Sequence, residues 1–265
     1  MSRFPLRVRA RKLLESARFR LWKRLSGSSG LPDFLIIGAQ KSATCTLYFN
    51  LRRHPKLHLP ETGGGLNEVH FFDWEHHWER GVGWYREQFE PVAMLQGEKT
   101  PEYISQLKCH ARMHATVPRA RLILSLRNPV DRAYSHWNHF NQIHEESQEW
   151  GWIVRPFEEA IESTPDIVRR GDYIDQVEHL LRFYPRQQLH VVIAERLRKN
   201  PGLELNRICD FLGVEPLEWE VRSIHQRSYA APMSPEARQR LKERYAASNA
   251  RLFEFLGERI TEWED

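Results

Sequence analysis

The sequence has no apolar run of about eighteen residues, so it offers no membrane-spanning helix. Near its start it lacks the apolar stretch and small-residue cleavage site of a secretory leader, which leads us to expect a cytoplasmic protein. Cysteine is scarce: Cys45, Cys109 and Cys209 are scattered and odd in number, which argues against a disulfide framework and a cysteine-type zinc site. No His/Asp/Glu cluster has metal-ligand spacing, so no metal is expected. No internal repeat is present. Glycine is missing where a nucleotide-triphosphate loop requires it. That loop reads G-x-x-x-x-G-K-[ST], whereas Gly38 stands three residues before Lys41 with no second glycine in front of the lysine.

What the chain does have is an uneven charge. The net charge of the 265 residues is +4, but residues 1–30 contain nine Arg or Lys against one Glu. Removing that local +8 leaves −4 on the rest. We therefore divide the chain into a basic arm, 1–30, and a folded body, 31–265, joined through the Ser/Gly stretch 26–30. Leu14, Leu21, Trp22 and Leu25 give the arm a rough helical stripe. That stripe suits either peripheral contact with an anionic membrane surface or a solvated helix docked on its own domain. The net-acidic body gives no reason to expect a nucleic-acid partner.

Strand candidates in the body are 34–37, 57–59, 122–126 and 189–193, with a short one before Lys99. Helical patterns occupy 44–53, 129–142, 174–183, 203–212 and 235–256. Apolar strands alternating with helices indicate a single α/β domain with a central parallel sheet flanked by helices. Ligands of such sheets sit beyond the carboxyl ends of the strands.

Three segments carry chemistry. In FLIIGAQKSATCTLY (34–48) a buried strand runs through a tight turn into a helix, a P-loop-like strand–loop–helix. The unpaired N–H groups and dipole at the helix start, with Lys41 and the hydroxyls beside it, make an anion cradle. In LILSLRNPVDRAYSHW (122–137) Arg127 emerges at a strand end and Ser135 lies two turns into the next helix. Arg127 can fork onto a phosphate, or it can pair with Asp131 to fix the turn. In NEVHFFD (67–73), Glu68, His70 and Asp73 are threaded through Val69, Phe71 and Phe72. If 68–72 is extended, Glu68 and His70 face one side. A carboxylate beside an imidazole among aromatics suits a proton acceptor, and equally suits a hydrogen-bonded strand edge. GEKTPEY (97–103) adds Lys99, with Thr100-Pro101 as a stop.

Together these segments, in this order, resemble the sulfotransferases that use 3′-phosphoadenosine 5′-phosphosulfate, most closely the heparan-sulfate type and its bacterial relatives. GAQKSAT is similar to the family's 5′-phosphosulfate loop and LRNPVDRAYSHW to its 3′-phosphate motif. Residues 225–257 resemble its closing basic loop and long helix. The resemblance implies that Lys41 contacts the 5′-phosphate and bridging oxygen. Ser42, Ala43, Thr44, Cys45 and Thr46 would supply loop contacts. Arg127 and Ser135 would hold the 3′-phosphate, with Arg227 and Tyr229 as further candidates. Glu68 would be the catalytic base, supported by His70 and Asp73, with Lys99 near the acceptor. The family's usual lysine before the base is Asn67 here, and the cysteine pair common in animal members is absent.

The implied reaction moves a sulfuryl group in line onto an acceptor hydroxyl, with 3′-phosphoadenosine 5′-phosphate as the nucleotide product. A carboxylate base takes the acceptor proton, while lysine and helix amides balance charge on the departing phosphate. Nine tryptophans, among them Trp74, Trp78, Trp84, Trp137, Trp150 and Trp152, offer faces that stack on sugars or pack in the core. With the resemblance, they favour a saccharide acceptor. Two other readings are weighed. A P-loop kinase would need an acidic magnesium ligand where Arg127 stands. A non-catalytic anion- or membrane-binding module would leave Glu68 and His70 unexplained.

Overall fold

The computed structural model describes residues 30–61, 67–89, 94–147, 155–221 and 232–264. Arg227, Tyr229, Trp150, Trp152 and the arm up to residue 29 lie outside the described residues.

Five strands form one parallel sheet: β1 (Phe34–Gly38), β2 (Leu57–His58), β3 (Leu95–Lys99), β4 (Arg121–Leu126) and β5 (Leu189–Ile193). Their order across the sheet is β2-β3-β1-β4-β5. Parallel neighbours need crossover connections, and helices supply them on both faces. α1 (Thr44–Leu51) follows β1, α4 (Leu107–Thr116) follows β3, and α5 (Pro129–Ser147) follows β4. Two short helices, α2 (Glu75–Trp78) and α3 (Gly81–Glu87), precede β3. Between β4 and β5 the chain also forms α6 (Phe157–Ser163), α7 (Pro165–Arg169) and α8 (Tyr173–Leu180). After β5 come α9 (Ala194–Lys199), α10 (Pro201–Leu212) and α11 (Pro235–Leu256).

β1 and most of β4 bury both faces, as their near-continuous apolar runs require. Leu35 and Ile37 join Leu122, Leu124 and Leu126 in a core closed by Met113 of α4 and Val177 of α8. Phe34 and Ile36 point the other way, with Ile123, onto Leu47 and Leu51 of α1 and Ile208 of α10. A third cluster packs α5 against α6 and α11 through Val130, Phe157 and Tyr245.

Several boundaries differ from the sequence expectation. α1 stops at Leu51 and not at 53, where the chain tightens ahead of Pro55: the amides of Arg53 and His54 bond three residues back, to Asn50 O and Leu51 O. α5 runs on to Ser147, past the expected end at 142. α4 escaped the sequence reading because its buried positions are only Cys109, His110 and Met113 within LKCHARMHAT. Residues 67–70 form no strand; they are a loop in which Asn67 and His70 take positive φ of 53° and 52°. The expected period-two alternation of Glu68 and His70 is therefore replaced by a left-handed turn.

The strand order positions the site. β1 lies between β3 and β4, so the chain leaves the sheet centre in both directions, and this is the switch point where a crevice opens. Ile36 is in register with Lys99, and Gly38 with Leu124. The carboxyl ends of β1, β3 and β4, with Lys41, Lys99 and Arg127 at or just beyond them, therefore stand side by side.

Candidate active site

The loop after β1 is drawn tight against its neighbours. At Gly38 φ is +153° and a Cβ would sit 2.3 Å from Ile104 Cγ2, so only glycine fits the close approach. Ala39 N donates to Ser125 O at 2.7 Å, and Ser125 Oγ donates to the Ser42 carbonyl. Lys41 and Ala43 both have positive φ, 70° and 64°. Ala43 occupies the N-cap of α1, and no side chain caps that end. The first-turn amides of Thr44, Cys45 and Thr46 thus open an N-terminus without a built-in acceptor, a ready anion site.

Arg127 flanks this loop from β4. Its Nη1 is 3.4 Å from the Lys41 carbonyl, and its own carbonyl accepts from Tyr173 Oη at 2.9 Å. Asp131 pairs with Arg238 at 2.8 Å, so the turn-fixing Arg127–Asp131 pair does not form. Among the described residues no carboxylate meets Arg127, and its Nε is buried without a hydrogen-bond partner. A buried guanidinium donor left open beside an uncapped helix start fits an anionic group. Ser135 is buried on the α5 face that follows.

The third component is the loop 67–73. Glu68 Oε1 accepts from Lys99 Nζ at 2.7 Å, and Glu68 Oε2 meets His70 Nε2 at 3.1 Å. His70 Nδ1 donates to Asp73 Oδ2 at 2.7 Å. The His70 ring is stacked on Trp74 at 4.0 Å, and Trp74 keeps 37% of its surface exposed. Lys99, expected near the acceptor, is completely buried between Glu68 and the loop after β1: its Nζ also approaches Cys45 Sγ in the first turn of α1 at 3.5 Å.

The charges in this row follow from the contacts. Burial alone would push the Glu68 carboxyl up, but the His70 hydrogen bond and the Lys99 ammonium hold it below its ordinary value. Burial alone would lower His70; hydrogen bonds to Asp73 and Glu68 outweigh it and raise the imidazole to about 9. At neutral pH Glu68 is therefore ionised beside a protonated His70.

Residues the sequence reading passed over hold the loop in place. Thr100, read there as a stop, accepts from Val69 N at 3.2 Å and His70 N at 3.3 Å through Oγ1. Tyr103 Oη accepts from Phe71 N at 3.0 Å. On the carbonyl side, His77 Nδ1 lies 3.1 Å from both Val69 O and His70 O, and Arg112 Nη1 donates to Phe72 O at 3.0 Å. Beneath them Glu98 is fully buried, which pushes its carboxyl up to about 7 against three hydroxyl hydrogen bonds. A sequence signal existed in GEKTPEY, where a charged pair breaks an otherwise strand-like stretch.

A family model for the sulfotransferase domain matches residues 31–254. The chain belongs to this family. A bifunctional heparan sulfate N-deacetylase/N-sulfotransferase of Drosophila melanogaster is 30% identical over 224 residues, covering 75% of this chain and 21% of that protein. Human heparan sulfate glucosamine 3-O-sulfotransferase 3B1 is 32% identical over 194 residues, covering 72% of this chain and 48% of that protein. The chain thus spans less than half the length of these two relatives. In fold, the crystal structure of a sulfotransferase from Alicyclobacillus acidocaldarius superposes with a TM-score of 0.73 at 24% identity, covering 88% of this chain and 99% of that one. The parallel sheet with flanking helices is therefore the sulfotransferase fold.

Proposed function

We propose that this sulfotransferase-family chain is an O-sulfotransferase that uses 3′-phosphoadenosine 5′-phosphosulfate as donor and a saccharide hydroxyl as acceptor. One observation carries the reading. Lys99 Nζ touches Glu68 on one side and Cys45 of the nucleotide loop on the other, at 2.7 and 3.5 Å. A carboxylate is thereby held against the start of α1, which is where a base must stand relative to a phosphosulfate in that cradle.

The donor supplies an activated sulfuryl group. Lys41 and the α1 amides face the 5′-phosphate end and balance the charge it gains on departure, in the manner of an oxyanion hole. Arg127 and Ser135 take the 3′-phosphate, which positions the donor and separates it from ATP. Glu68 accepts the proton of the acceptor hydroxyl as its oxygen bonds to sulfur. That hydroxyl turns acidic as the bond forms, so a carboxylate of lowered pKa suffices as base. His70 and Asp73 hold Glu68 in orientation. The saccharide preference is supported by the heparan sulfate enzymes among the relatives and by Trp74, which stacks on His70 and keeps 37% of its surface exposed.

The body 31–265 would form the catalytic domain and the basic arm 1–30 an appendage that contacts anionic membrane surfaces in a cytoplasmic setting. The arm's local charge supports this, and no helix among the described residues is long and apolar enough to cross a membrane.

Thermal shift tests the donor. A ligand that binds the folded state alone raises apparent stability by mass action, about 2.7 kcal/mol at a hundredfold excess over Kd. 3′-Phosphoadenosine 5′-phosphate should raise Tm, and ATP with magnesium should not. Equal stabilisation by ATP would replace this reading with a kinase-like one.

A further inference from the structure

We propose that Glu98 is a positioning residue for the base. Through two hydroxyls, its buried carboxylate fixes three consecutive backbone amides of the loop that carries Glu68 and His70. The proposal rests on the reading of Glu68 as the proton acceptor.

The geometry is a fan opening upward from one carboxylate. Oε1 of Glu98 accepts from the Tyr103 hydroxyl at 3.0 Å and from the Tyr85 hydroxyl, and Oε2 accepts from the Thr100 hydroxyl at 3.0 Å. Each hydroxyl has one proton. With the protons of Thr100 and Tyr103 committed to Glu98, their lone pairs face the other way. There they receive Val69 N and His70 N at Thr100, and Phe71 N at Tyr103. In its ionised form, which the three hydroxyl donors favour against burial, a carboxylate can do this, because both its oxygens accept and neither donates. The loop has no strand ladder to fix it, and His70 sits at a positive φ of 52°. Its amides therefore depend on these two hydroxyls. Glu98 adjoins Lys99 in β3, so the strand that delivers the cation to Glu68 also delivers the support for the backbone beneath it.

Glu98→Gln keeps the size of the side chain and replaces one acceptor oxygen by an NH2 donor. Facing Thr100, that donor competes with Val69 N and His70 N for the hydroxyl oxygen, and the Thr100 proton loses its acceptor. Misplacement of a reacting group by about 1 Å is enough to cost on the order of 10²-fold in rate. We expect kcat with labelled donor and a heparan-type acceptor to fall about tenfold to a hundredfold in Glu98→Gln, with the Kd for 3′-phosphoadenosine 5′-phosphate within about twofold of wild type. Thr100→Val, which keeps the volume and loses the hydroxyl, should show the same split, and Thr100→Ser should restore kcat. If Glu98→Gln fails to fold, the Thr100 pair decides alone. Unchanged kcat in Glu98→Gln or in Thr100→Val overturns the proposal. So does a parallel loss of kcat and nucleotide affinity, which marks a merely structural role. Glu68→Gln serves as the separate control. Full activity in that variant removes the base reading, whereas lost activity there with unchanged kcat in Glu98→Gln removes only the positioning role.

Discussion

Charge at Glu68 and His70 is set by neighbours within one hydrogen bond, and this is where single residues matter most. His70 is raised to about 9 because Asp73 and Glu68 accept from its two nitrogens, overriding burial. A group whose folded pKa lies above its unfolded value, near 6.5 for histidine, binds an extra proton in the folded state. Its contribution to stability is complete below about pH 6.5 and is lost as pH rises through about 9. Denaturant unfolding at pH 6.5 and 9.5 should show a larger loss for the wild type than for His70→Asn. Equal losses in the two proteins would mean that the imidazole is not held protonated. The same residues show why the sequence reading was incomplete. EVHFFD displayed the right groups, but their contact depends on a left-handed His70 and on hydroxyls thirty residues away. No local period encodes either.

At the level of elements, β1 and β5 were legible because FLII and all of LHVVI but His190 are apolar, with Phe, Ile and Val favouring strand. β3 was only half visible: LQGEK carries Gln, Gly, Glu and Lys into a strand buried along almost its whole length. It tolerates them because Glu98 and Lys99 find partners beyond the sheet end and because Gly97 makes room for Phe34 of β1. Those two residues are in register, and a Cβ at Gly97 would lie 2.3 Å from the Phe34 ring. Gly97→Ala should therefore destabilise the protein by about 1–3 kcal/mol, the usual range for overpacking a filled core. Phe34→Leu in the same chain should return part of that loss, as contacting residues couple in a double-mutant cycle. A neutral Gly97→Ala in urea unfolding would contradict the packing of β1 on β3. The connections α2, α3, α6, α7 and α9 were not expected from sequence, since each is at most seven residues and offers no sustained apolar period.

For the molecule as a whole, one topological fact gathers the chemistry. Segments at 38–46, 67–73, 98–103 and 127–135 are far apart in sequence, and the order β3-β1-β4 brings their strand ends together at the switch point. Motif order in the sequence suggested a common site, whereas the support from Glu98, Tyr103 and Tyr173 became visible only once the strands were assembled. The central claim is that the crevice holds a phosphosulfate donor and that Glu68 receives the acceptor proton. The most direct measurement is sulfuryl transfer from labelled 3′-phosphoadenosine 5′-phosphosulfate to heparan-type saccharides by the wild type and by Glu68→Gln. Loss of a general base typically costs about 10²–10⁴-fold, so the variant should lose at least two orders of magnitude while still binding 3′-phosphoadenosine 5′-phosphate. Transfer by Glu68→Gln at a rate near wild type would contradict the account.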